Sequence, residues 1–271
     1  MKDLSDRCKA YEACYDFKIP ERIPIILRLD GRSFHTFTRK MKLDRPLDEG
    51  FHRAMVKTML SLCSEIMHAR FGYTQSDEIS ILIYPKYANS QAWFDNRVVK
   101  MATAAAALAS VRFNHALLDT LSKVRGWPET FIELGKACPT FDAHLFVIPV
   151  HDVANAFLWR QADAARNSVT MHAEFHLERK TLEGISTLER IERLKAIQVD
   201  WNSLPTWQKW GTGTVKKVFE HEKTMRTRWE PVEIPDLRLD KSFITHFLTE
   251  PTLKPDVKIS EKAGNHEFCE S

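Results

Sequence analysis

With 271 residues, 44% of them hydrophobic and 28% charged, and only 9 glycines and 12 prolines, the chain is long enough to bury a core without disulfides or a structural metal; its composition excludes a disordered or fibrous protein. Lys+Arg 39 against Asp+Glu 36 leaves +3, too little to coat nucleic acid non-specifically, although a local basic patch is compatible with it. The five cysteines (Cys8, Cys14, Cys63, Cys138, Cys269) have no CxxC or Cys/His ligand spacing, and no apolar run approaches a membrane span, so a cytoplasmic protein with no zinc site, export signal or anchor is expected.

Along the chain, residues 3–15 place Leu4, Cys8, Tyr11 and Cys14 at helical spacing, and Pro20 and Pro24 end that lead-in helix. The run Ile25-Ile26-Leu27-Arg28-Leu29 predicts a buried strand that opens at Asp30-Gly31-Arg32 into a tight turn, with the acid at its tip. Residues 51–70 carry Phe51, Met55, Met59, Leu62, Ile66 and Met67 on one stripe and predict an amphipathic helix. A turn over residues 72–78, holding Asp77 and Glu78, leads into a second buried strand over 79–84. Residues 94–121 predict a long helix with an alanine-rich, closely packable section, 141–149 a third strand, and 153–176 a helix carrying Trp159-Arg160-Gln161. Beyond residue 180 come a charged amphipathic helix (182–197), a segment (201–230) with four of the seven tryptophans, and an irregular polar tail (250–271). No Gly/Ser linker intervenes. The expected organisation is an α+β sheet with helices packed on it over residues 1–180, and a helical C-terminal extension, 181–271, packed on that unit.

Asp30 and the Asp77-Glu78 pair each sit at the end of an apolar strand, so pairing of those strands would bring the carboxylates together. Carboxylates that close repel unless a cation lies between them, and hard oxygen ligands suit Mg²⁺ shared with substrate phosphates. Two such ions are a common device for in-line displacement at phosphorus. Taken singly, either acid also fits an ordinary solvated turn. Gly31 frees the backbone for close approach to a ligand, and the amides that follow could cradle phosphates. His35 reads either as a nucleotide contact or as a core histidine, and Arg45-Pro46-Leu47-Asp48 either as a nucleotide-positioning segment or as an exposed loop.

Three blocks in order, residues 28–38 (Arg-Leu-Asp-Gly-Arg-Ser-Phe-His-Thr-Phe-Thr), 72–80 (Gly-Tyr-Thr-Gln-Ser-Asp-Glu-Ile-Ser) and 159–163 (Trp-Arg-Gln-Ala-Asp), resemble the tRNA(His) guanylyltransferase family. The resemblance covers residues 1–215. Asp3–Arg7 in sequence (Asp-Leu-Ser-Asp-Arg), Gln91-Ala92-Trp93-Phe94-Asp95, Arg166-Asn167-Ser168 and Trp201-Asn202 are closer to its bacterial and archaeal guanylyltransferase-like branch. The resemblance implies a polymerase-palm-like fold with an antiparallel or mixed sheet, usually assembled as a homotetramer. The implied reaction activates the tRNA 5′ end and then joins it to the 3′-hydroxyl of an incoming nucleotide, extending the chain 3′→5′ with ATP and GTP as substrates. Matching positions imply that Asp30 and Asp77 hold two Mg²⁺ ions with the Gly31 carbonyl as a further ligand and Glu78 close by. They also imply that the backbone of Arg32, Ser33, Phe34 and His35 holds phosphates, that Ser76 and Arg45 lie near them, that Asp48 faces a nucleotide base, and that Arg97 and Lys100 approach another triphosphate. Phosphoryl transfer needs positioning and charge neutralisation more than a nucleophilic side chain, so the lack of a Cys or Ser nucleophile fits.

The eukaryotic members carry His-Ile-Asn-Asn-Leu-Tyr-Asn where this chain has Ala165-Arg166-Asn167-Ser168-Val169-Thr170-Met171, which favours template-dependent repair of 5′-truncated tRNA over addition of one guanosine to tRNA(His). On a helix Arg160, Asp163, Arg166 and Asn167 share one face, and Lys209 and Lys216 lie among the C-terminal tryptophans; both groups suit RNA or, equally, a solvated face and core packing. A nucleotide cyclase and a non-catalytic tRNA-binding module are the rival readings.

Overall fold

The computed structural model describes residues 3–85, 87, 90–250 and 252. The order is α1 (Leu4–Ala13), β1 (Ile25–Gly31), α2 (Phe34–Lys40), α3 (Glu49–Glu65), β2 (Ala69–Gln75), β3 (Glu78–Ile83), α4 (Val98–Arg125), α5 (Trp127–Ala137), β4 (Phe141–Val147), α6 (Val153–His176), α7 (Thr187–Ala196), α8 (Thr206–Trp210), β5 (Thr212–His221), β6 (Thr224–Val232) and α9 (Ser242–Thr249). The strands form one antiparallel sheet in the order β4-β1-β3-β2-β5-β6. The α+β class with helices on a sheet is therefore observed.

Alternation along the central strands sorts their side chains between two cores. Leu27 and Leu29 of β1, Ile79 and Ile81 of β3, and Phe141 of β4 pack with Met55, Met59 and Leu62 of α3 and with Met101, Ala105, Ala109 and Phe113 of α4. The small residues of α4 let it lie close, as its composition predicts. On the other face Ile26, Phe71, Tyr73 and Leu82 pack with Val153 and Phe157 of α6 and with Ile244 and Phe247 of α9. That second layer covers only part of the sheet. At the β1 tip Arg28 is half-buried, while Asp30, Asp142 and His144 are exposed.

Several elements depart from expectation. The sequence segment 69–75 is a strand, β2, buried along its whole length, where the pattern predicts a helix end followed by a turn; only Ser76 and Asp77 form the turn. Helix α3 correspondingly stops at Glu65. Asp30 and Gly31 are the last residues of β1 rather than a tight turn, and the chain reverses at Ser33, with φ 57°. Helix α4 starts at Val98, because Phe94, Asp95 and Asn96 adopt left-handed angles. The C-terminal extension is not purely helical: β5 and β6 form a hairpin whose first residues join the main sheet through Thr212, Gly213 and Thr214 against Thr74, Tyr73 and Gly72. Most of the tail expected over 250–271 lies outside the described residues.

The extension is tied down by polar and aromatic contacts. The Tyr73 hydroxyl donates to the Trp210 carbonyl (2.8 Å), and His52 of α3 stacks on Trp207 of α8 (4.3 Å, 14°). The Gln161 amide donates to the Pro235 carbonyl (2.9 Å) and its oxygen accepts from the Leu237 amide (2.8 Å). Gly211 joins α8 to β5 at φ 79°, and a Cβ there would sit 2.5 Å from the Thr74 carbonyl oxygen. Gly211→Ala is therefore expected to cost roughly 2–4 kcal/mol in denaturant unfolding, more than an exposed Gly→Ala change at Gly135, where nothing lies within 4 Å.

Candidate active site

Pairing of β1 with β3 and β4 sets Asp30 opposite Glu78 on one side and Asp142 on the other. The two-residue turn between β2 and β3 folds back onto the same place, where the Gly31 amide donates to the Asp77 carbonyl (3.1 Å). Asp30, Asp77, Glu78 and Asp142 thus gather at one edge of the sheet, on the face left open by α6.

Their electrostatics differ. Glu78 is buried, and the Arg160 guanidinium donates to both its oxygens (2.8 and 2.7 Å) and to Asp163 (2.8 Å). The Ser80 hydroxyl adds a further bond to Glu78 (3.2 Å). Asp77 has no ion-pair partner among the described residues. Burial, reinforced by the charge of Asp30, pushes its carboxyl up to about 6 against the pull of its own backbone amide and the Ser76 hydroxyl. Asp30 is solvent-exposed on one side, yet the protein packed behind it and the Asp142 carboxylate also raise it, with Arg28 and Arg160 opposing. Of the four acids, Asp30 and Asp77 are raised for want of positive charge, Glu78 is neutralised by Arg160, and Asp142 is exposed to solvent.

That deficit is what a divalent cation removes, and carboxylate oxygens are the donors Mg²⁺ takes when it retains water and substrate phosphate. Among the described residues no group of three or more His, Cys, Asp or Glu side chains is placed to hold a metal ion by itself. The donor set fits an ion completed by substrate better than a structural one.

The remaining sequence candidates separate by what already occupies them. Gly31 lets the Phe34 ring close in, since a Cβ would lie 2.5 Å from that ring. Phe34 itself is buried among Phe37, Phe51, Phe113 and Phe141, so its side chain is not available to a ligand. The Arg32 amide bonds the Thr140 carbonyl (2.9 Å), which removes it from the expected phosphate cradle and leaves the Ser33, Phe34 and His35 amides. Asp48 caps α3, accepting from the Phe51 amide (2.7 Å) and the Asp44 amide (2.9 Å), so both of its oxygens are engaged in holding backbone. Arg97 pairs with Asp16 (2.6 Å), whereas Lys100 is exposed beside the Phe94 ring (5.2 Å). Arg45 is exposed, 5.9 Å from the Phe175 ring; Ser76 and His35 are exposed. Of the expected RNA contacts, Arg160 is committed to Glu78 and the Lys209 ammonium to the Asn202 carbonyl (2.6 Å), Lys216 is half-buried, and Arg166 and Asn167 face solvent. Sequence reasoning missed Asp142 and Arg28; the period-2 alternation that places them beside Asp30 was the available signal.

A family model for tRNA(His) guanylyltransferase matches residues 5–149. The chain belongs to this family. A bacterial tRNA(His) guanylyltransferase-like protein in complex with ATP has the same fold with TM-score 0.78 at 35% identity, over 91% of this chain and 99% of that one. The corresponding GTP complex gives TM-score 0.75 at 34% identity, over 90% and 98%. The tRNA(His) guanylyltransferase of Saccharomyces cerevisiae, at 20% identity and TM-score 0.62 over 80% and 93%, shares the fold. An uncharacterized protein of Acanthamoeba polyphaga mimivirus is 30% identical over 80% of this chain and 78% of its own, and a probable tRNA(His) guanylyltransferase of Dictyostelium discoideum is 29% identical over 59% of each. The guanylyltransferase family consists of nucleotidyltransferases, and no helix among the described residues is long and apolar enough to cross a membrane.

In this guanylyltransferase-family site the proton affinity of Asp77 has a measurable sign. A carboxyl raised from about 4 in the unfolded chain to about 6 in the folded one stabilises the fold at low pH, and that contribution is lost as pH rises through 6. Metal-free Asp77→Asn is therefore expected to be more stable than the wild type at pH 8, by at most about 3 kcal/mol, with the difference shrinking toward pH 4. Thermal unfolding in chelator across that range checks it. Arg160→Met, which strands Glu78 without its cation, is expected to lose about 3 kcal/mol at neutral pH, and much of that should return in the Arg160→Met/Glu78→Met double variant.

Proposed function

We propose that the chain extends tRNA at its 5′ end in the 3′→5′ direction, chiefly as template-dependent repair of 5′-truncated tRNA, with residues 1–180 carrying the chemistry and 181–271 bracing them. The observation that carries this reading is the uncompensated Asp30/Asp77 pair at the sheet edge, in a chain whose fold matches guanylyltransferase-like proteins bound to ATP and GTP. The Asp30 and Asp77 carboxylates, with the Gly31 carbonyl, would hold two Mg²⁺ ions. Bound there, the ions supply charge neutralisation for the triphosphate and activation of the attacking hydroxyl.

The chain's own groups do the positioning. The Ser33, Phe34 and His35 amides and the Ser76 hydroxyl face the triphosphate, with Arg45 and Lys100 as mobile cations at its rim. Arg97, held by Asp16, would approach a second triphosphate only by sharing that partner. Arg160 holds Glu78 and thereby the first residue of β3 beside the Asp77 turn, so Glu78 is a positioning residue rather than a ligand. Assembly as a cytoplasmic homotetramer completes the proposal.

Preference for templated repair is supported by the segment that replaces the eukaryotic run. Ala165, Ser168 and Val169 are buried, and the Trp201 indole donates to the Ser168 hydroxyl (2.9 Å). This stretch is used to seat Trp201, leaving only Arg166 and Asn167 outward.

The test uses tRNA shortened at the 5′ end, alongside tRNA(His) lacking its extra guanosine, with ATP, GTP and Mg²⁺. Extension that stops when the acceptor stem is fully paired, and that chelator abolishes, is the expected result. Asp30→Ala or Asp77→Ala should slow it at least about 10³-fold while tRNA affinity stays within about threefold. Addition of one guanosine to tRNA(His) alone would favour the family's other reaction. No 5′ growth on either RNA would overturn the proposal.

A further inference from the structure

Trp159 is about half exposed (52%), although it lies within α6 next to buried Phe157 and Gln161. It borders a shallow hollow on the open sheet face, whose lining includes Ile26, Arg28, Ser80, Phe146 and Arg160. The Arg160 guanidinium sits 4.4 Å from its ring and is itself fixed by Glu78 and Asp163, so the indole is held in place before any ligand arrives. Arg28 approaches the same ring at 5.6 Å and has no ion pair or hydrogen bond with another described side chain. Two residues along the same strand face stands Asp30, about 7 Å away at the rise of an extended strand.

We propose that Trp159 is a stacking platform for an unpaired base of the RNA substrate, with Arg28 holding the adjoining phosphate, one nucleotide removed from the reacting end at Asp30. The inference rests on the 5′-extension reading and names where the RNA lies. A half-exposed indole ordered by neighbouring guanidiniums, one of which makes no ion pair, is a combination that binds single-stranded RNA without regard to sequence. The hollow is too small to seat an apolar helix. A free nucleotide offers the same base chemistry, so the test separates it from RNA.

The experiment measures affinity of the full chain for two labelled RNA hairpins, an acceptor-stem mimic with one unpaired nucleotide and its blunt counterpart, together with KM for ATP and for truncated tRNA. Stacking of one base is worth about 1–3 kcal/mol, or roughly 5- to 150-fold. Trp159→Ala is expected to weaken the overhang hairpin about tenfold and the blunt hairpin less than twofold, within that range. Trp159→Phe should recover most of the loss. Trp159→Leu, which retains apolar bulk without a π face, should not, and it also serves if the alanine variant fails to fold. The KM for truncated tRNA should rise while that for ATP holds. Equal loss on both hairpins, no loss in folded variants, or a rise confined to the KM for ATP would each overturn the platform. Because the hairpin measurements need no turnover, a wild type that fails to extend tRNA but shows this pattern would sink the extension reading and leave the platform standing.

Discussion

The row Asp142-Asp30-Glu78, running across three adjacent strands, is the constraint on which the rest of this structure turns. Like charges facing one another across a sheet oppose pairing. The register is imposed from the other face, where Leu27, Leu29, Ile79, Ile81 and Phe141 are buried against α3 and α4. A slip of one residue in β1 would relieve the acids but turn Leu27 and Leu29 out of the core. Several buried apolar side chains, each worth about 1.5–3 kcal/mol, outweigh the repulsion of partly solvated carboxylates. The fold can therefore present an electrostatic deficit without relaxing it away.

Helix α6 decides how much of that deficit survives. Its Trp159-Arg160-Gln161-Ala162-Asp163 segment sends consecutive side chains to different tasks: Trp159 to the open face, Arg160 to Glu78, Gln161 to the backbone before α9, and Asp163 to Arg160 and Arg166. Neutralising Glu78 leaves the shortage at Asp30 and Asp77. A second arginine on Asp77 would cancel that shortage, so one compensated acid beside two uncompensated ones is the distribution that leaves room for the proposed cations.

The parts legible in the sequence are those whose local pattern and tertiary role coincide. β1, β3, β4, α4 and α6 announce themselves by apolar period and length, and the two acid-tipped strands converge as their patterns require. β2 was hidden because it is buried on both faces, so its sequence Ala-Arg-Phe-Gly-Tyr-Thr-Gln shows no alternation. Its Gly72 looks like turn punctuation but is needed because a Cβ would meet Thr214 at 2.7 Å and the Cys63 sulfur at 2.8 Å. The β5–β6 hairpin was masked by its charges. Lys217 and Arg228 both pair with Glu230, so residues that resemble a solvated or RNA-facing run are partly satisfied within the hairpin. Arg160 and Asp48 likewise have partners within the fold that their local sequence does not show, Glu78 for the one and the Asp44 and Phe51 amides for the other.

Strand β1 divides the work of the site between its two faces. Leu27, Leu29 and Gly31 lead into the Phe34 aromatic cluster, which anchors the chain just past the Ser33 reversal. Arg28 and Asp30 point the opposite way, toward Trp159 and open solvent. A triphosphate held by the loop after β1 and an RNA strand lying over the open face would therefore reach Asp30 from two sides, and only the strand tip is common to both. This explains why the acid belongs at the end of β1 rather than within it. Further back, the sheet would separate the two reactants; further forward, past Ser33, neither core would hold the carboxylate in place.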